Sequence, residues 1–199
     1  MTFSQNGEDK IILDYFKGQV GCFLDIGAND GVTLSNTRAL ALAGWVGVCV
    51  EPAPTAYKKL SYLYEQSPVH CINAAIANRN YPVTLHESGQ HLSENDTALL
   101  STIIESEKSR WVKEKFTPVS VDGITVETLL IISKYERFNF VSIDAEGMDF
   151  DILTKMPLSK MGVECLCIEW NAKEKGKYAM YMEGYRLIHE NHENLIFAL

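Results

Sequence analysis

The sequence lacks several features that define large classes of proteins. No stretch of about 18 consecutive apolar residues occurs in its 199 residues, so no transmembrane helix is predicted. The first ten residues, MTFSQNGEDK, have neither a basic region nor an apolar core and do not predict a signal peptide. Positive charge is scarce: the formal net charge is −8, whereas a large nucleic-acid interface needs a basic face. We therefore expect no membrane partner and no nucleic-acid partner.

Cysteine is also sparse, and its five positions do not show the spacing of zinc ligands. Free cysteine in an apolar run behaves as a small buried hydrophobe. Reduced thiols of this kind are typical of cytosolic proteins, so we expect a cytoplasmic location. All five lie in strand-like apolar runs: Cys22, Cys49, Cys71, Cys165 and Cys167.

Short apolar runs that favour strands alternate with amphipathic segments that favour helices. This alternation predicts an α/β fold with a parallel sheet covered on both faces. Near the end, YRLIHE and NLIFAL are separated by only three residues, 191–193, a loop so short that it makes a hairpin and hence one antiparallel strand. The predicted strands are 20–26, 46–51, 70–76, 138–144 and 163–170; the predicted helices are 6–16, 34–44, 53–66, 126–135 and 148–156.

One segment, residues 82–121, interrupts this rhythm with two strand-like runs around a polar, irregular stretch. Long polar insertions in compact domains tend to be lids or binding loops. We expect a single domain over residues 1–199, with a lid or substrate-binding insertion around 86–117. A solvated surface excursion is the alternative.

The most informative stretch is FLDIGANDGVTLSNT, residues 23–37, in which a strand runs into a glycine loop. Gly27 and Gly31 permit a tight turn and close backbone approach, as in loops that cradle a nucleotide. Asn29, however, stands where a dinucleotide-binding loop has its middle glycine. The loop also carries Asp25 and Asp30, and two unit charges about 4 Å apart interact by roughly 4 kcal/mol at an effective dielectric constant near 20.

These carboxylates would repel a pyrophosphate but suit a ligand with cationic groups. S-adenosylmethionine has an ammonium and a sulfonium, and its carboxylate can accept hydrogen bonds from loop N–H groups. The residues predicted to contact this cofactor are Asp25, Gly27, Ala28, Asn29, Asp30 and Gly31. A purely structural role for Asp25, as a cap of the turn, is the alternative.

The next two strands add contacts for adenosine. Glu51 ends the second strand, 20 residues after Gly31, which is the spacing at which an acid meets the ribose hydroxyls. Pro52 turns the chain there. Asn73 and Ala74 follow the third strand, where small residues would let a flat ring lie against the backbone. Dehydrogenases share the ribose acid, so Glu51 by itself predicts adenosine binding without choosing the cofactor.

The fourth strand ends at Asp144, and Glu146 follows two residues later. Both are candidates for holding or deprotonating an acceptor hydroxyl; an alternative role is to orient their own loop. The sequence defines no ligand set and places no histidine beside these acids, so no metal ligand is predicted. A divalent metal held by the acidic cluster stays open as an alternative. Trp170 and Asn171 follow the fifth strand and are candidates for lining an acceptor pocket. For Trp170, packing in the core is the alternative.

Five segments together resemble the FkbM-type methyltransferases, most weakly over residues 82–121. The resemblance implies a Rossmann-like class I methyltransferase sandwich with seven strands and an antiparallel last strand. It also implies S-adenosylmethionine as methyl donor, O-methylation of a small-molecule acceptor such as a sugar, and cofactor contacts by Asp25, Gly27 and Glu51. The five are SQNGED (4–9), FLDIGANDG (23–31), GWVGVCVEP (44–52), NAAI (73–76) and SIDAEGMDFDIL (142–153).

The first of these segments suggests that Ser4 or Gln5 closes over the cofactor, although a helix cap explains it equally well. Two other functions stay open at this point. One is an NAD-dependent oxidoreductase on a similar sheet, against which the missing glycine, Asp25 and the C-terminal hairpin count. The other is a module that binds S-adenosylmethionine without turnover.

Overall fold

The computed structural model describes residues 2–89, 91, 98–171 and 174–199. Its strands, in chain order, are β1 (Cys22–Ile26), β2 (Val46–Val50), β3 (Val69–Ile72), β4 (Ala75–Ile76), β5 (Tyr81–Ser88), β6 (Phe116–Ile124), β7 (Phe140–Ile143), β8 (Cys165–Glu169), β9 (Arg186–Glu190) and β10 (Asn194–Ala198). Its α-helices are α1 (Glu8–Phe16), α2 (Arg38–Leu42), α3 (Pro54–Leu63), α4 (Val126–Ile132), α5 (Asp149–Leu153), α6 (Leu158–Met161) and α7 (Lys175–Tyr181), and a 3₁₀ helix spans Glu105–Arg110.

Seven strands form the main sheet in the order β3-β2-β1-β7-β8-β10-β9. The pairs β1–β2, β1–β7, β2–β3 and β7–β8 are parallel, whereas β10 is antiparallel to both β8 and β9. The short connection from β9 to β10 forces the reversal. The predicted fold, a mostly parallel seven-stranded sheet with an antiparallel C-terminal strand, is confirmed.

Both faces of this sheet are buried, as the continuous apolar runs predict. Successive side chains of a strand point to opposite faces. Leu24 and Val48 accordingly pack into one buried cluster, and Phe23 and Cys49 pack into another on the other face. No helix within the described ranges is long and apolar enough to span a bilayer.

The run predicted as a single third strand is divided between two sheets. β3 ends at Ile72, and β4 pairs with β6 in a three-stranded sheet of order β4-β6-β5. The break falls at Asn73, whose side-chain amide donates to the backbone oxygens of Glu51 (2.8 Å) and Pro52 (3.2 Å). The two strand-like runs of the 82–121 segment are β5 and β6, so this segment extends the fold with a second sheet.

The helix predicted over 34–44 is also shorter, because α2 begins only at Arg38. Ser35 Oγ accepts hydrogen bonds from the N–H groups of Thr37 (3.3 Å) and Arg38 (3.0 Å). A serine that bonds nearby backbone in this way favours a turn over a helix interior. Residues 32–37 are therefore a loop beside the end of β1.

Candidate active site

A cleft opens at the carboxyl edge of the main sheet, where open α/β folds bind their ligands. Its empty volume, with the open mouth included, is about 860 Å³. Parallel strands end at the same edge, so acids that are distant in sequence meet here. Nine of the predicted site residues line the cleft: Asp25, Gly27, Ala28, Asn29, Glu51, Pro52, Ala74, Asp144 and Glu146.

Gly27 lies at the tightest point of the cleft wall. Its φ is +85°, and a Cβ atom built there would lie 1.7 Å from the carbonyl oxygen of Asp144. The backbone around it is held on both sides, since Gly27 N–H donates to Val50 O (2.9 Å) and Asp144 N–H donates to Ile26 O (2.9 Å). Only glycine fits here. The loops after β1 and β7 therefore meet backbone to backbone.

Asp25 lies between the cleft and the loop that precedes α2. Its side chain lines the cleft, and its Oδ2 accepts a hydrogen bond from Thr37 Oγ1 at 2.5 Å. That bond ties the end of β1 to the loop before α2. Burial raises the pKa of Asp25 to about 6, although the Thr37 hydroxyl favours the charged form.

Glu51 is fixed by the loops on either side of it. Its Oε2 accepts from Asn29 N–H and its Oε1 from Ala53 N–H, each at 2.7 Å. A carboxylate oxygen can accept two hydrogen bonds, so both oxygens keep capacity for ligand hydroxyls. Burial raises the pKa of Glu51 to about 8, even though the two N–H donors favour the carboxylate.

Three predicted contacts of the first and third loops are not among the residues that line the cleft. Asp30 is bonded to its own turn: Oδ1 accepts from Val32 N–H (2.9 Å) and Thr33 N–H (2.7 Å). Gly31 packs against α3, where an added Cβ would lie 2.8 Å from Leu60. Asn73 uses its amide to bind the backbone around Glu51, as described above. These residues shape the site from behind.

Ser4 and Gln5 likewise lie outside the residues that line the cleft. Ser4 Oγ donates to Asp9 Oδ1 (2.9 Å) and accepts from Asp9 N–H (3.1 Å), so it binds the first turn of α1, whose N-cap residue is Gly7. Ser4 also forms an isolated parallel bridge with Leu34, which does line the cleft. Gln5 is exposed. The N-terminal segment therefore supports the loop of residues 32–37.

The two candidate catalytic acids share the loop between β7 and α5. Asp144 is accessible through the open cleft. Its pKa is nevertheless raised to about 7, first because the surrounding protein partly desolvates the carboxylate and second because of the charge of Asp149. Glu146 is buried, and within the described structure its Oε2 has no hydrogen-bond partner. Arg110 Nη1 lies 3.7 Å from that oxygen. Burial, and then the charge of Asp144, hold the pKa of Glu146 well above its usual range.

Asp149 holds this loop in place. Its Oδ1 accepts from Ala145 N–H (2.7 Å) and its Oδ2 from Gly147 N–H (3.0 Å). An acid in the first turn of a helix is common, but this side chain also organises the preceding loop. It fixes the backbone that carries Glu146.

Sequence reasoning missed two groups of residues that line the cleft. The first is the loop before α2: Asn36 Nδ2 donates to Ser142 Oγ at 3.2 Å, and both residues line the cleft. The polar run Ser35-Asn36-Thr37 was the available signal, hidden by the helix prediction. The second group comes from the 82–121 insertion: Leu85, Ala98, Leu99, Ser101 and Ile103. Residues 90 and 92–97 of the expected lid lie outside the described residues.

A smaller cavity, whose empty volume with open solvent included is about 330 Å³, is lined by residues of the same loop and by the segment after β8. Glu169, at the end of β8, is buried there, and burial followed by the charge of Asp144 holds its pKa well above the usual range. Trp170 lines this cavity and also donates from Nε1 to Asn191 O at 2.9 Å. Asn171 lines it as well. The other lining residues are Gly147, Asp149, Phe150, Lys177 and Tyr178.

Solved structures with the same fold include a hypothetical protein of Thermus thermophilus, with 16% identity and a TM-score of 0.53 over 98% of this chain and 86% of that one. A putative methyltransferase, YhhF of Escherichia coli, matches with 10% identity and a TM-score of 0.50 over 100% of this chain and 88% of that one. Monomeric WbdD matches with 11% identity and a TM-score of 0.52, over 97% of this chain but 41% of that one. These likenesses show the fold.

No curated protein matches the chain. A family model does match, over residues 25–188, which include the glycine loop, Glu51 and both candidate catalytic acids. That model is the methyltransferase FkbM domain, and the predicted resemblance is confirmed. The chain belongs to the FkbM methyltransferase family.

Proposed function

We propose that this protein transfers a methyl group from S-adenosylmethionine to a hydroxyl of a small acceptor, a sugar or a related metabolite. Family membership makes the protein a methyltransferase with S-adenosylmethionine as cofactor, and decides against the NAD-dependent alternative. The observation that carries the O-methyl assignment is the position of Asp144 and Glu146. Both line the cofactor cleft, and their loop also borders the smaller cavity.

The residues of the cleft fit the cofactor. Glu51 presents two fixed carboxylate oxygens that suit the ribose hydroxyls. Pro52, Ala74 and Ile76 form an apolar wall that suits the adenine ring. Asp25 supplies a carboxylate for the cationic end of the cofactor. Asp30 faces its own turn, so the charge argument against a pyrophosphate depends on Asp25 and Glu51.

The bound cofactor supplies an electrophilic methyl group on a sulfonium, which is a good leaving group. The protein must then position an acceptor oxygen and remove its proton. A neutral hydroxyl loses that proton as it becomes an ether, and a nearby carboxylate can accept it. Asp144 and Glu146 are the cleft carboxylates that hold and deprotonate the hydroxyl, and much of the catalysis comes from this positioning.

The smaller cavity supports a small, hydroxyl-rich acceptor. It combines the carboxylate of Glu169 and the amide of Asn171 with the aromatic rings of Trp170 and Tyr178. Pockets that combine apolar rings with a few fixed polar groups are typical of small-molecule sites. We further propose that residues 1–199 act as one cytoplasmic domain, with the five free thiols in support. In this proposal the insertion around 86–117 is a lid or a substrate-binding element, and its described residues 98–110 lie over the cleft.

The test combines ligand binding with a transfer screen. S-adenosylmethionine and S-adenosylhomocysteine should raise the melting temperature, because a ligand that binds only the native state stabilises it, and NAD should not. Methyl-labelled donor should then label at least one acceptor in a panel of sugars, nucleotide sugars and other hydroxylated metabolites. Labelling of nitrogen or carbon atoms alone would overturn the O-methyl assignment. Donor binding without transfer to any acceptor would favour a non-catalytic module.

A further inference from the structure

We propose that Asp144, Asp149 and Glu169 bind a hard divalent cation such as Mg²⁺ beside the cofactor cleft. One carboxylate oxygen from each residue lies within 4.8 Å of the others. Oxygen ligands at about 2.0–2.6 Å from a shared cation are themselves roughly 3–5 Å apart, so one ion can contact all three. The ligands come from three elements: the loop after β7, the first turn of α5 and the end of β8.

A second observation points to a cation at this place. Glu169 is only 8% exposed, and within the described part of the chain its Oε2 has no hydrogen-bond partner. A buried carboxylate oxygen without a partner is costly unless a positive charge meets it. Glu146, 9% exposed and two residues from Asp144, also has a buried Oε2 without a hydrogen bond. Two buried carboxylate oxygens without a hydrogen bond therefore lie at the proposed site, one on the ligand Glu169 and one on the neighbouring Glu146, which Arg110 approaches at 3.7 Å.

Two basic side chains of the described residues, Arg110 and Lys177, lie near this site, and both are engaged with other acids. Arg110 forms its ion pairs with Glu107 (2.8 Å) and Glu146 (3.7 Å). Lys177 lies 3.9 Å from Glu174, with its Nζ over the ring of Phe150. Neither forms an ion pair with Glu169. A bound cation would supply the missing charge.

The chemistry of the donors selects the kind of cation. All three ligands are carboxylate oxygens, which suit hard ions such as Mg²⁺, Mn²⁺ and Ca²⁺. Asp149 is held by the N–H groups of Ala145 and Gly147, and such support from a second layer of hydrogen bonds orients metal ligands. Asp144 is accessible, so the ion would keep water or substrate positions on the side of the cleft.

The site lies at the junction of the two cavities. Asp144 lines the cofactor cleft, whereas Asp149 and Glu169 line the smaller cavity. A cation there would bind the acceptor oxygen and lower its pKa, and Glu146 would be left to accept the proton. This use of the ion in catalysis rests on the proposed function, but the binding site does not.

The test measures metal binding without cofactor or acceptor. Mn²⁺, a paramagnetic substitute for Mg²⁺, is titrated into the protein and followed by electron paramagnetic resonance. We expect one saturable Mn²⁺ site from which excess Mg²⁺ displaces the probe. Glu169→Gln and Asp144→Asn should each weaken Mn²⁺ binding roughly tenfold or more. Asp151→Asn, which removes the same charge from an exposed position on α5, should bind Mn²⁺ as the wild type does.

Two results would overturn the proposal. One is the absence of saturable Mn²⁺ binding at millimolar concentrations. The other is wild-type affinity in a folded Glu169→Gln or Asp144→Asn variant, because the ion would then lie elsewhere. Circular dichroism checks folding, and the accessible Asp144 gives a usable variant if substitution of the buried Glu169 unfolds the protein. Since no methyl transfer is measured, failure of the proposed function leaves this test unaffected.

Discussion

Gly27 is the residue on which the geometry of the cleft depends most directly. We expect Gly27→Ala to abolish cofactor binding and to destabilise the protein, because its Cβ would overlap the Asp144 carbonyl at 1.7 Å. Backbone strain at a positive φ contributes roughly 1–3 kcal/mol, and displacement of the loop after β7 adds to it. Urea unfolding and calorimetry with S-adenosylhomocysteine measure the two effects.

Gly18→Ala is the matched control for this substitution. Gly18 has a φ of +81°, close to that of Gly27, but no atom lies within 4 Å of its added Cβ. Its cost therefore reports the backbone conformation alone. If the two variants lost the same stability and both bound the cofactor, close approach at Gly27 would not shape the site.

The carboxylates of Asp144 and Glu146 can be tested with shape-preserving amides. We expect at least one of Asp144→Asn and Glu146→Gln to keep near-normal affinity for S-adenosylhomocysteine and to lose roughly a hundredfold or more in turnover. Asp151→Asn, on the helix that follows, serves as the control for loss of an acid. Full turnover by both amide variants with the true acceptor would show that proton removal needs neither side chain.

The segment from Ala98 to Arg110 acts on the site through its contacts with the β7–α5 loop. Thr102 Oγ1 donates to Glu146 O at 2.8 Å, and Arg110 bridges Glu107 and Glu146. We expect Arg110→Gln to speed dissociation of S-adenosylhomocysteine several-fold, because two buried or half-buried acids lose their shared counter-charge. Stopped-flow displacement measures this rate.

Lys113→Gln removes the same charge from an exposed position three residues after this segment and is the control. Its dissociation rate should match that of the wild type. Equal rates for Arg110→Gln and the wild type would instead indicate that the segment does not cover the bound cofactor.

The elements differ in how far the sequence determines them. The buried runs of β1, β2, β7 and β8 are predicted because the strands are apolar throughout, and the hairpin β9–β10 is predicted because its loop is short. The division of the third run is not predictable from periodicity, since it depends on bonds from Asn73 to a neighbouring strand. Local bonds of Ser35 likewise turn a helical pattern into a loop.

The candidate site shows the same limit. Asp25, Glu51 and Asp144 were found because each ends a parallel strand, and all such ends meet at one edge. Glu169 also ends a strand, but its role was missed because its approach to Asp149 depends on how the β7–α5 loop folds. Spacing along the chain predicts which strand end an acid occupies, but not which other acid it meets.

The edge of the main sheet concentrates negative charge in a protein that is already acidic. Asp25, Glu51, Asp144 and Glu146 line one cleft, and the formal net charge of the chain is −8. Buried carboxylates that repel one another are tolerated where a ligand with positive charge is to be bound. The cofactor's ammonium and sulfonium, and the proposed divalent cation, are such ligands. Stability without ligands should therefore depend on pH.

We predict that the free energy of unfolding of the ligand-free protein falls as the pH rises from about 5 to about 8. Glu51 faces the N–H groups of Asn29 and Ala53 and the carboxylates of Asp25 and Asp144, and its pKa is raised from 4.5 to about 8. That of Asp25 is raised from 3.8 to about 6. Between these values the native state binds more protons than the unfolded state, so a rise in pH favours unfolding.

The stabilising contribution of each group is complete below its unfolded pKa and is lost as the pH passes through its folded pKa. For Glu51 the loss is on the order of a few kcal/mol, centred between pH 5 and 8. Glu8 works in the opposite direction, because its pKa is lowered and its contribution is lost in acid. Measurements above pH 5 therefore avoid the contribution of Glu8. Burial lowers the pKa of His70, which opposes the trend in this range, so a comparison with a Glu51 variant is needed to identify the effect of the cleft acid.

Urea unfolding across this pH range, with a chelator present, measures how the free energy of unfolding changes with pH. The Glu51→Gln variant shows how much of that change comes from the titration of Glu51. The variant has no titratable group at position 51, so its free energy of unfolding should fall less between pH 5 and 8 than that of the wild type. Its amide nitrogen cannot accept one of the two backbone N–H bonds, and that loss lowers the stability to a similar extent at every pH. Glu65→Gln, an exposed position after α3, should follow the wild-type curve. A wild-type free energy of unfolding that is constant or rises between pH 5 and 8 would contradict this prediction. The cleft acids would then be charged in the folded protein at little cost, and the fold would not need a cationic ligand to stabilise them.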